Sequence, residues 1–225
     1  MGERVRTGID TSVNNGKIDW PKVAGYFAFV KVSEGVGYID PHAERDAWAI
    51  RGRGLKLGAY HFATLGNATD KGPDADARDE ARWFAGKLMW IAKLDYPPVL
   101  DFEDQPAKPC KMSAAQCLTW INAFRDEMRK AGHPEIMLYG NPDFLNRHLP
   151  INHALGNVPL WIAHYGVESP TLPNGWDRYA MWQQTDKKIV TGISGKCDFN
   201  VMADWFRPPP TLDPDRVVAL ARANQ

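Results

Sequence analysis

PPVLDFED, residues 97–104, places a pair of carboxylates at the end of a buried strand. Two apolar residues after a double proline predict the strand, and acidic residues follow at once. Side chains alternate between the two faces of a strand, so Asp101 and Glu103 project to one side and Phe102 to the other. Carboxylates are costly to bury without partners, so the pair indicates a functional site. The structural alternative is a loop cap or a pairing with surface lysines.

Strands and helices alternate along the first two thirds of the chain. Mostly apolar runs bounded by turn residues predict strands at 5–10, 26–35, 55–63, 98–103 and 135–140. Apolar positions three and four residues apart, with capping residues and terminal glycines, predict helices at 41–54, 75–93, 113–131 and 142–149. The last third is mostly strands, predicted at 159–166, 178–185 and 192–200.

This order of elements predicts an α/β fold. Alternating strands and helices favour a parallel sheet with right-handed crossovers, and about eight strands is the number that closes a TIM-like barrel. The last third has too few helices for a regular eightfold barrel, so we predict an irregular β/α barrel over residues 1–206. The proline-rich segment RPPPTLDPD and a short helix after it are predicted to form a C-terminal extension at 207–225.

The composition excludes several classes of protein. Of 225 residues, 44% are apolar and 24% charged, which allows a real core. Lys plus Arg and Asp plus Glu both number 27, so the net charge is zero, whereas a general nucleic-acid binder needs a basic surplus. Nine Trp and seven Tyr suit sugar binding, because flat rings stack on pyranose faces, although most of the Trp are expected to fill the core.

The N-terminus and the cysteines indicate the compartment. MGERVRTGID lacks the apolar segment of a secretory signal, and no run approaches the ~20 apolar residues of a membrane span. We therefore expect synthesis in the cytoplasm without membrane insertion. Cys110, Cys117 and Cys197 are an odd set without a CxxC motif, so neither a disulfide scaffold nor a zinc site is expected. Cys110 and Cys117 are close enough in sequence to pair, but free buried thiols are favoured. No spaced ligand set predicts a metal, and no cofactor is expected.

Chemistry in a parallel α/β barrel lies at the carboxyl ends of the strands. The predicted strands carry acids, aromatics and amides there: Asp10, Tyr60, His61, Asp101, Glu103, Tyr139, His164, Tyr165, Gln183, Gln184 and Asp198. One acid at a strand end is more often a helix cap. Four acids with aromatics match what a glycosidase needs, which is a carboxyl group to protonate the leaving oxygen and carboxylates to stabilise positive charge at the anomeric carbon.

Eight motifs occur in a recognisable order. They are GIDTS at 8–12, FAFVKVSEG at 27–35, GAYHF at 58–62, PVLDFED at 98–104, LYGN at 138–141, LWIAHYG at 160–166, MWQQT at 181–185 and GISGKCDFN at 192–200. In these motifs, over roughly residues 5–206, the chain resembles the family 25 glycoside hydrolases. These are the Chalaropsis-type lysozymes, or N-acetylmuramidases, common among phage endolysins.

The resemblance implies a flattened, irregular β/α barrel. It also implies cleavage of the β-1,4 bond between N-acetylmuramic acid and N-acetylglucosamine with net retention. Glu103 matches the general acid, and Asp101, Asp10 and Asp198 match the accompanying acids. The motifs that line the family's substrate groove contain Lys31, Tyr60, Tyr139, Trp161, Tyr165 and Gln183. Trp161 fits a core role equally well, and His61 is expected to lie behind the site in a hydrogen bond.

The implied mechanism requires Glu103 to be protonated near neutral pH. We expect its like-charged neighbours, Asp101 above all, to raise its pKa. Two retaining routes are open, because either a carboxylate or the substrate's own 2-acetamido oxygen can attack the anomeric carbon. We favour the substrate-assisted route with Asp101 as its stabiliser, since muramidase substrates carry the acetamido group. Asp10 and Asp198 are expected to orient the substrate and tune the charge.

Two other functions compete with this interpretation. A non-catalytic cell-wall glycan-binding protein on the same scaffold is disfavoured by the presence of all four acids. A chitinase of family 18 is disfavoured because its DxxDxDxE pattern is absent. The expected partner is a peptidoglycan glycan strand, bound by a monomer, with no nucleic acid. We expect the protein to reach the cell wall through a holin-type or other non-classical release.

Overall fold

The computed structural model describes residues 5–67, 71–105 and 107–207, which contain nine strands and four α-helices. The strands are β1 (Arg6–Thr11), β2 (Phe27–Glu34), β3 (Tyr38–Ile39), β4 (Lys56–Phe62), β5 (Val99–Asp101), β6 (Met137–Gly140), β7 (Leu160–Ala163), β8 (Met181–Ile189) and β9 (Lys196–Met202). The helices are α1 (Ala43–Gly52), α2 (Pro73–Leu88), α3 (Ala114–Lys130) and α4 (Pro142–His148). Apart from Arg207, the predicted extension at 207–225 lies outside the described residues.

Eight of these strands close into a barrel. They are neighbours in the order β1-β9-β8-β7-β6-β5-β4-β2, and β2 pairs with β1 to complete the ring. Strand β3 lies outside the ring and pairs only with β2 among the described residues. Successive strands from β1 to β8 around the ring are parallel, whereas β9 runs antiparallel to both of its neighbours. The predicted irregular α/β barrel is confirmed.

The α-helices cover only part of the barrel. Helices α1 to α4 lie in the connections from β2 to β7, where parallel neighbours require a crossover. Between His148 and Arg207 the described chain contains no further α-helix. A capping box begins α3, with the Ser113 hydroxyl accepting from the Gln116 N–H and the Gln116 side chain accepting from the Ser113 N–H. The sequence therefore predicted the shortage of helices in the last third correctly.

Two apolar layers hold the barrel together. Outward-facing residues of the strands pack against the helices, as Leu100 and Leu138 do. Inward-facing residues form a separate cluster inside the barrel that includes Phe27, Phe29 and Trp161. This division follows from the period-two alternation of side chains along each strand. The interior cluster fills one end of the barrel and forms the floor on which the polar residues of the other end rest.

Candidate active site

Polar side chains lie above the apolar floor of the barrel. They occupy the next inward-facing positions along the same strands. On β5, Val99 belongs to the interior cluster, and Asp101 two residues later faces the same pocket. On β6, Met137 and Tyr139 repeat the pattern. Strand register brings these residues side by side, since Asp101 pairs with Tyr139, which pairs with Trp161 on β7. The carboxyl ends of the parallel strands therefore carry a polar layer.

A pocket of ≈ 270 Å³ opens at this end of the barrel. It is lined by Asp10, Ser12, Asn14, Lys31, Tyr60, Phe62, Val99, Asp101, Glu103, Tyr139, Trp161, Tyr165, Gln183 and Asp198. A second cavity of ≈ 670 Å³ shares three of these side chains, Ser12, Asn14 and Lys31. The two cavities therefore adjoin along these side chains.

The Asp10 carboxylate is the centre of a buried hydrogen-bond network. Its Oδ2 atom accepts from Gln183 Nε2 at 2.9 Å and from Asn200 Nδ2 at 2.7 Å. Asn200 Oδ1 in turn accepts from the indole of Trp161 at 2.8 Å, and Gln183 Oε1 accepts from the Tyr139 hydroxyl at 2.8 Å. Each amide accepts from an aromatic side chain and donates to Asp10, so both amide orientations are fixed. The network holds one carboxylate oxygen in place on the pocket wall.

Asp198 lies directly opposite Asp10 across the β1–β9 pair and lines the same pocket. Burial first, and then the charge of Asp10, raise the pKa of Asp198 to about 8. Burial also raises the pKa of Asp10, while the hydrogen bonds from Asn200 and Gln183 oppose that shift. Asp198 is therefore the protonated member near neutral pH and donates a hydrogen bond to Asp10. Two carboxyl groups that share one proton can both stay inside the pocket.

Glu103 and Asp101 form the second acidic pair of the pocket. Burial, followed by the charge of Asp10, raises the pKa of Glu103 to about 7. Burial and then the charge of Glu103 raise the pKa of Asp101 well above its usual range. Burial, and not the charge of a neighbour as expected, is the largest cause of the raised pKa of Glu103, while the repulsion between Glu103 and Asp101 contributes to the raised pKa of Asp101. Asp101 Oδ1 is buried without a hydrogen-bond partner among the described residues.

Lys31 supplies the positive charge of the pocket. Its ammonium group contacts Glu34 at 2.6 Å and lies 4.8 Å from the centre of the Phe62 ring. Its charge lowers the pKa of both Asp101 and Glu103, and so opposes the effect of burial. Lys31 therefore limits how far the pocket can suppress ionisation of its acids.

The chain matches one known protein family over most of its length. The model of "Glycosyl hydrolases family 25" matches residues 9–193, which cover most of the chain. The chain belongs to this family.

The relatives of this family 25 hydrolase are similar over most of its length. Lysozyme M1 of Streptomyces globisporus is 32% identical over 201 residues, which are 86% of this chain and 66% of that protein. The N,O-diacetylmuramidase of Chalaropsis sp. is 29% identical over 76% of this chain and 84% of its own. A crystal structure of the bacterial lysozyme from Streptomyces coelicolor, 27% identical, superposes with a TM-score of 0.76 and covers 100% of both chains.

All ten residues predicted for the site of this family 25 hydrolase lie around one pocket. Trp161 is only 1% exposed and packs between Phe29 and Tyr139, so it acts mainly as a core residue that supports the pocket wall. The prediction that Asp198 lies at the carboxyl end of a parallel strand is wrong. It is the third residue of the antiparallel β9, whose first half lies beside the carboxyl ends of its neighbours.

His61 lies on the outer face of β4, as expected for a residue behind the site. Its ring contacts the Ser33 hydroxyl at 2.9 Å and the Glu80 carboxylate at 2.8 Å, and all three side chains are buried. The Glu80 carboxylate also accepts from the Thr64 N–H. These contacts join β2, β4 and α2 outside the barrel, so His61 supports the strands and takes no part in the pocket.

Asn200 is a residue of the site that was not predicted from the sequence. It stands in CDFN, two positions after Asp198, and the alternation of a strand therefore places both on the same face. That spacing is a signal for an inward-facing amide, but not for its partners. Only the barrel closure brings Asn200 against Asp10 and Trp161.

The residues that the structure describes provide neither a metal centre nor a membrane-spanning helix. No group of three or more His, Cys, Asp or Glu side chains in them is arranged to hold a metal ion. Among the helices that the structure describes, none has both the length and the apolar character needed to cross a membrane.

Proposed function

We propose that this chain hydrolyses peptidoglycan at the β-1,4 bond between N-acetylmuramic acid and N-acetylglucosamine, with retention and as a monomer. One observation carries the proposal. Burial raises the pKa of Glu103 to about 7, so its carboxyl group stays protonated almost up to neutral pH. Three further acids line the same pocket at the mouth of the barrel. A protonated carboxyl group near neutral pH is the group that a glycosidase requires to release its leaving group.

Glu103 acts as the general acid in this proposal. It transfers its proton to the glycosidic oxygen while the bond to the anomeric carbon breaks, so that the leaving sugar departs as a neutral alcohol. The resulting Glu103 carboxylate then takes a proton from the water that attacks the anomeric carbon, while the bond between that carbon and the 2-acetamido oxygen breaks and the neutral acetamido group is restored. Its pKa of about 7 suits both steps, because the acid and base forms are then almost equally accessible at neutral pH.

Asp101 stabilises the charge that develops on the substrate. In the substrate-assisted route the 2-acetamido oxygen attacks the anomeric carbon and the acetamido group becomes positively charged. Asp101 Oδ1, without a partner of its own among the described residues, is an acceptor for the acetamido N–H. Its ionised form is costly in the free pocket and becomes favourable beside a cation. Asp101 therefore interacts more strongly with the transition state than with the ground state.

The remaining pocket residues bind and orient the glycan strand. Tyr139 and Tyr165 both donate to Gln183 Oε1, so the network that fixes Asp10 also fixes two tyrosine rings on the pocket wall. Ordered aromatic rings and carboxylates around a groove suit an extended sugar polymer. The names of the relatives, a lysozyme and an N,O-diacetylmuramidase, support the same substrate.

Mass spectrometry of digested peptidoglycan tests the proposal. Purified walls are incubated with the protein, and the soluble fragments are reduced with borohydride before analysis. We expect fragments that end in reduced muramic acid. Fragments ending in reduced glucosamine would contradict the bond assignment. Binding to walls without any soluble fragments would instead support the glycan-binding alternative, and release of oligomers from chitin would support a chitinase.

The pH dependence of lysis provides a second prediction. The general acid must be protonated, so we expect kcat/KM to fall as the pH rises through about 7, the pKa of Glu103. Because Lys31 lowers that pKa, Lys31→Met should move the alkaline limb to higher pH. Initial rates on dyed peptidoglycan between pH 4 and pH 9 measure the alkaline limb of the wild type and of the variant. An alkaline limb that Lys31→Met leaves in place would contradict the assignment of that limb to Glu103.

A further inference from the structure

Two of the three cysteines lie in contact outside the pocket. Cys110 Sγ is 3.7 Å from Cys117 Sγ, and both thiols are free. Cys110 is half-buried in the segment before α3, whereas Cys117 is fully buried within the helix. Cys197 is also buried, but its thiol points to the backbone carbonyls of Asp10 and Asp198. Only the first two cysteines are therefore placed to react with each other.

We propose that Cys110 and Cys117 form a redox modification site, where an intramolecular disulfide fastens the segment before α3 to the helix. The oxidant is a low-molecular-weight disulfide such as oxidised glutathione. The Cys110 thiolate attacks one sulfur of that disulfide, so that a mixed disulfide forms and one glutathione thiolate leaves. Cys117 Sγ then attacks Cys110 Sγ, loses its proton to solvent and releases the second glutathione. Two protein thiols are oxidised and one disulfide is reduced to two thiols.

The surroundings of the two sulfurs assign their order of reaction. Hydrogen bonds from the Cys117 thiol and the Met112 N–H lower the pKa of Cys110 to about 7, so much of it is thiolate at neutral pH. The hydrogen bond to Cys110 and burial raise the pKa of Cys117. The half-buried thiol is therefore the attacking group, and the buried thiol is the resolving group.

The proposed bond has a structural consequence near Glu103. The Cys110 N–H donates to Asp104 Oδ1 at 2.8 Å, and Asp104 follows Glu103 directly in the chain. Fixing Cys110 to α3 thus also restrains the chain on the carboxyl side of Glu103. The disulfide joins groups that are already in contact, so we expect a gain in stability with a change in activity of less than about twofold. This inference does not rest on the proposed function.

Intact-mass measurement and peptide mapping test the site on the full chain. The reduced protein is exposed to oxidised glutathione, alkylated and digested with trypsin. Cleavage after Lys111 separates the two cysteines, so the disulfide must link peptides 94–111 and 112–125. We expect a mass loss of two hydrogens, this linked pair of peptides and a Tm higher by about 5 °C than that of the reduced form.

Matched variants complete the test. Cys197→Ser should keep both the linked peptides and the increase in Tm, whereas Cys110→Ser should lose both. Cys117→Ala should accumulate the glutathione adduct on Cys110. The proposal is overturned if the wild-type chain carries only glutathione adducts, or if the thiols remain reduced. An oxidised form with an unchanged Tm overturns the fastening of the segment to the helix.

Discussion

Replacing Glu103 by Gln is expected to lower the rate of peptidoglycan lysis by about 10³-fold, because the amide cannot supply the proton to the leaving oxygen. Gln matches Glu in shape, so the pocket lined by Asp101 and Tyr139 keeps its packing. Soluble muropeptides released per unit time measure the loss. A variant that retains more than a tenth of the wild-type rate would remove Glu103 from the role of general acid.

The same substitution is expected to stabilise the fold at alkaline pH. The pKa of Glu103 is raised from 4.5 to about 7 on folding. Its contribution to stability is therefore fully present below the unfolded pKa and is lost as the pH rises through about 7. Glu103→Gln lacks this loss, so at pH 8 the free energy of unfolding of the variant should exceed that of the wild type by about 3 kcal/mol. At pH 4 the two proteins should unfold at similar denaturant concentrations.

Glu135→Gln is the matched control for both measurements. Glu135 is an exposed carboxylate before β6, at the opposite end of the barrel from the pocket. Its replacement should leave the lysis rate and the pH dependence of stability unchanged. Equal losses of activity in the two variants would mean that net charge, and not proton donation, controls lysis.

Gly58→Ala is expected to destabilise the fold by about 3 kcal/mol, because the added methyl group collides with the interior of the barrel. A Cβ atom at Gly58 would lie 2.0 Å from Phe29 Cε1. The Phe29 ring is fully buried, with its centre 4.8 Å from that of Trp161 and 5.1 Å from that of Tyr96, so it has no space into which to move. Denaturant unfolding monitored by Trp fluorescence measures the effect.

Gly86→Ala is the control for this prediction. Gly86 lies within α2, and a Cβ atom there meets no atom within 4 Å beyond its chain neighbours and the nearby backbone of its own helix. Alanine favours the helix over glycine, so this variant should be more stable than the wild type by about 0.5–1 kcal/mol. If both variants changed stability by the same amount and sign, backbone entropy would account for the effect of Gly58→Ala. Close packing against Phe29 would then not be its cause.

The order of the elements was predictable, while their bounds and one direction were not. Strand 98–103 was expected, but β5 ends at Asp101, because its pairing with β6 stops there. The strand at 192–200 was expected, but β9 spans Lys196–Met202 and runs antiparallel. Direction depends on the connection between β8 and β9. Strands β8 and β9 form a hairpin. Local composition does not determine that β9 pairs with β1 on its other edge.

The sequence by itself determined which side chains face into the barrel, because alternation along a strand is a local property. Asp101, Tyr139 and Gln183 each follow an apolar interior residue by two positions. This spacing places them on the inner face even where the predicted strand ends are wrong. Tertiary structure alone decided that Asp198 faces Asp10, and that Asn200 completes the network around it. It also decided which acids hold protons, because burial by distant parts of the chain dominates their pKa shifts.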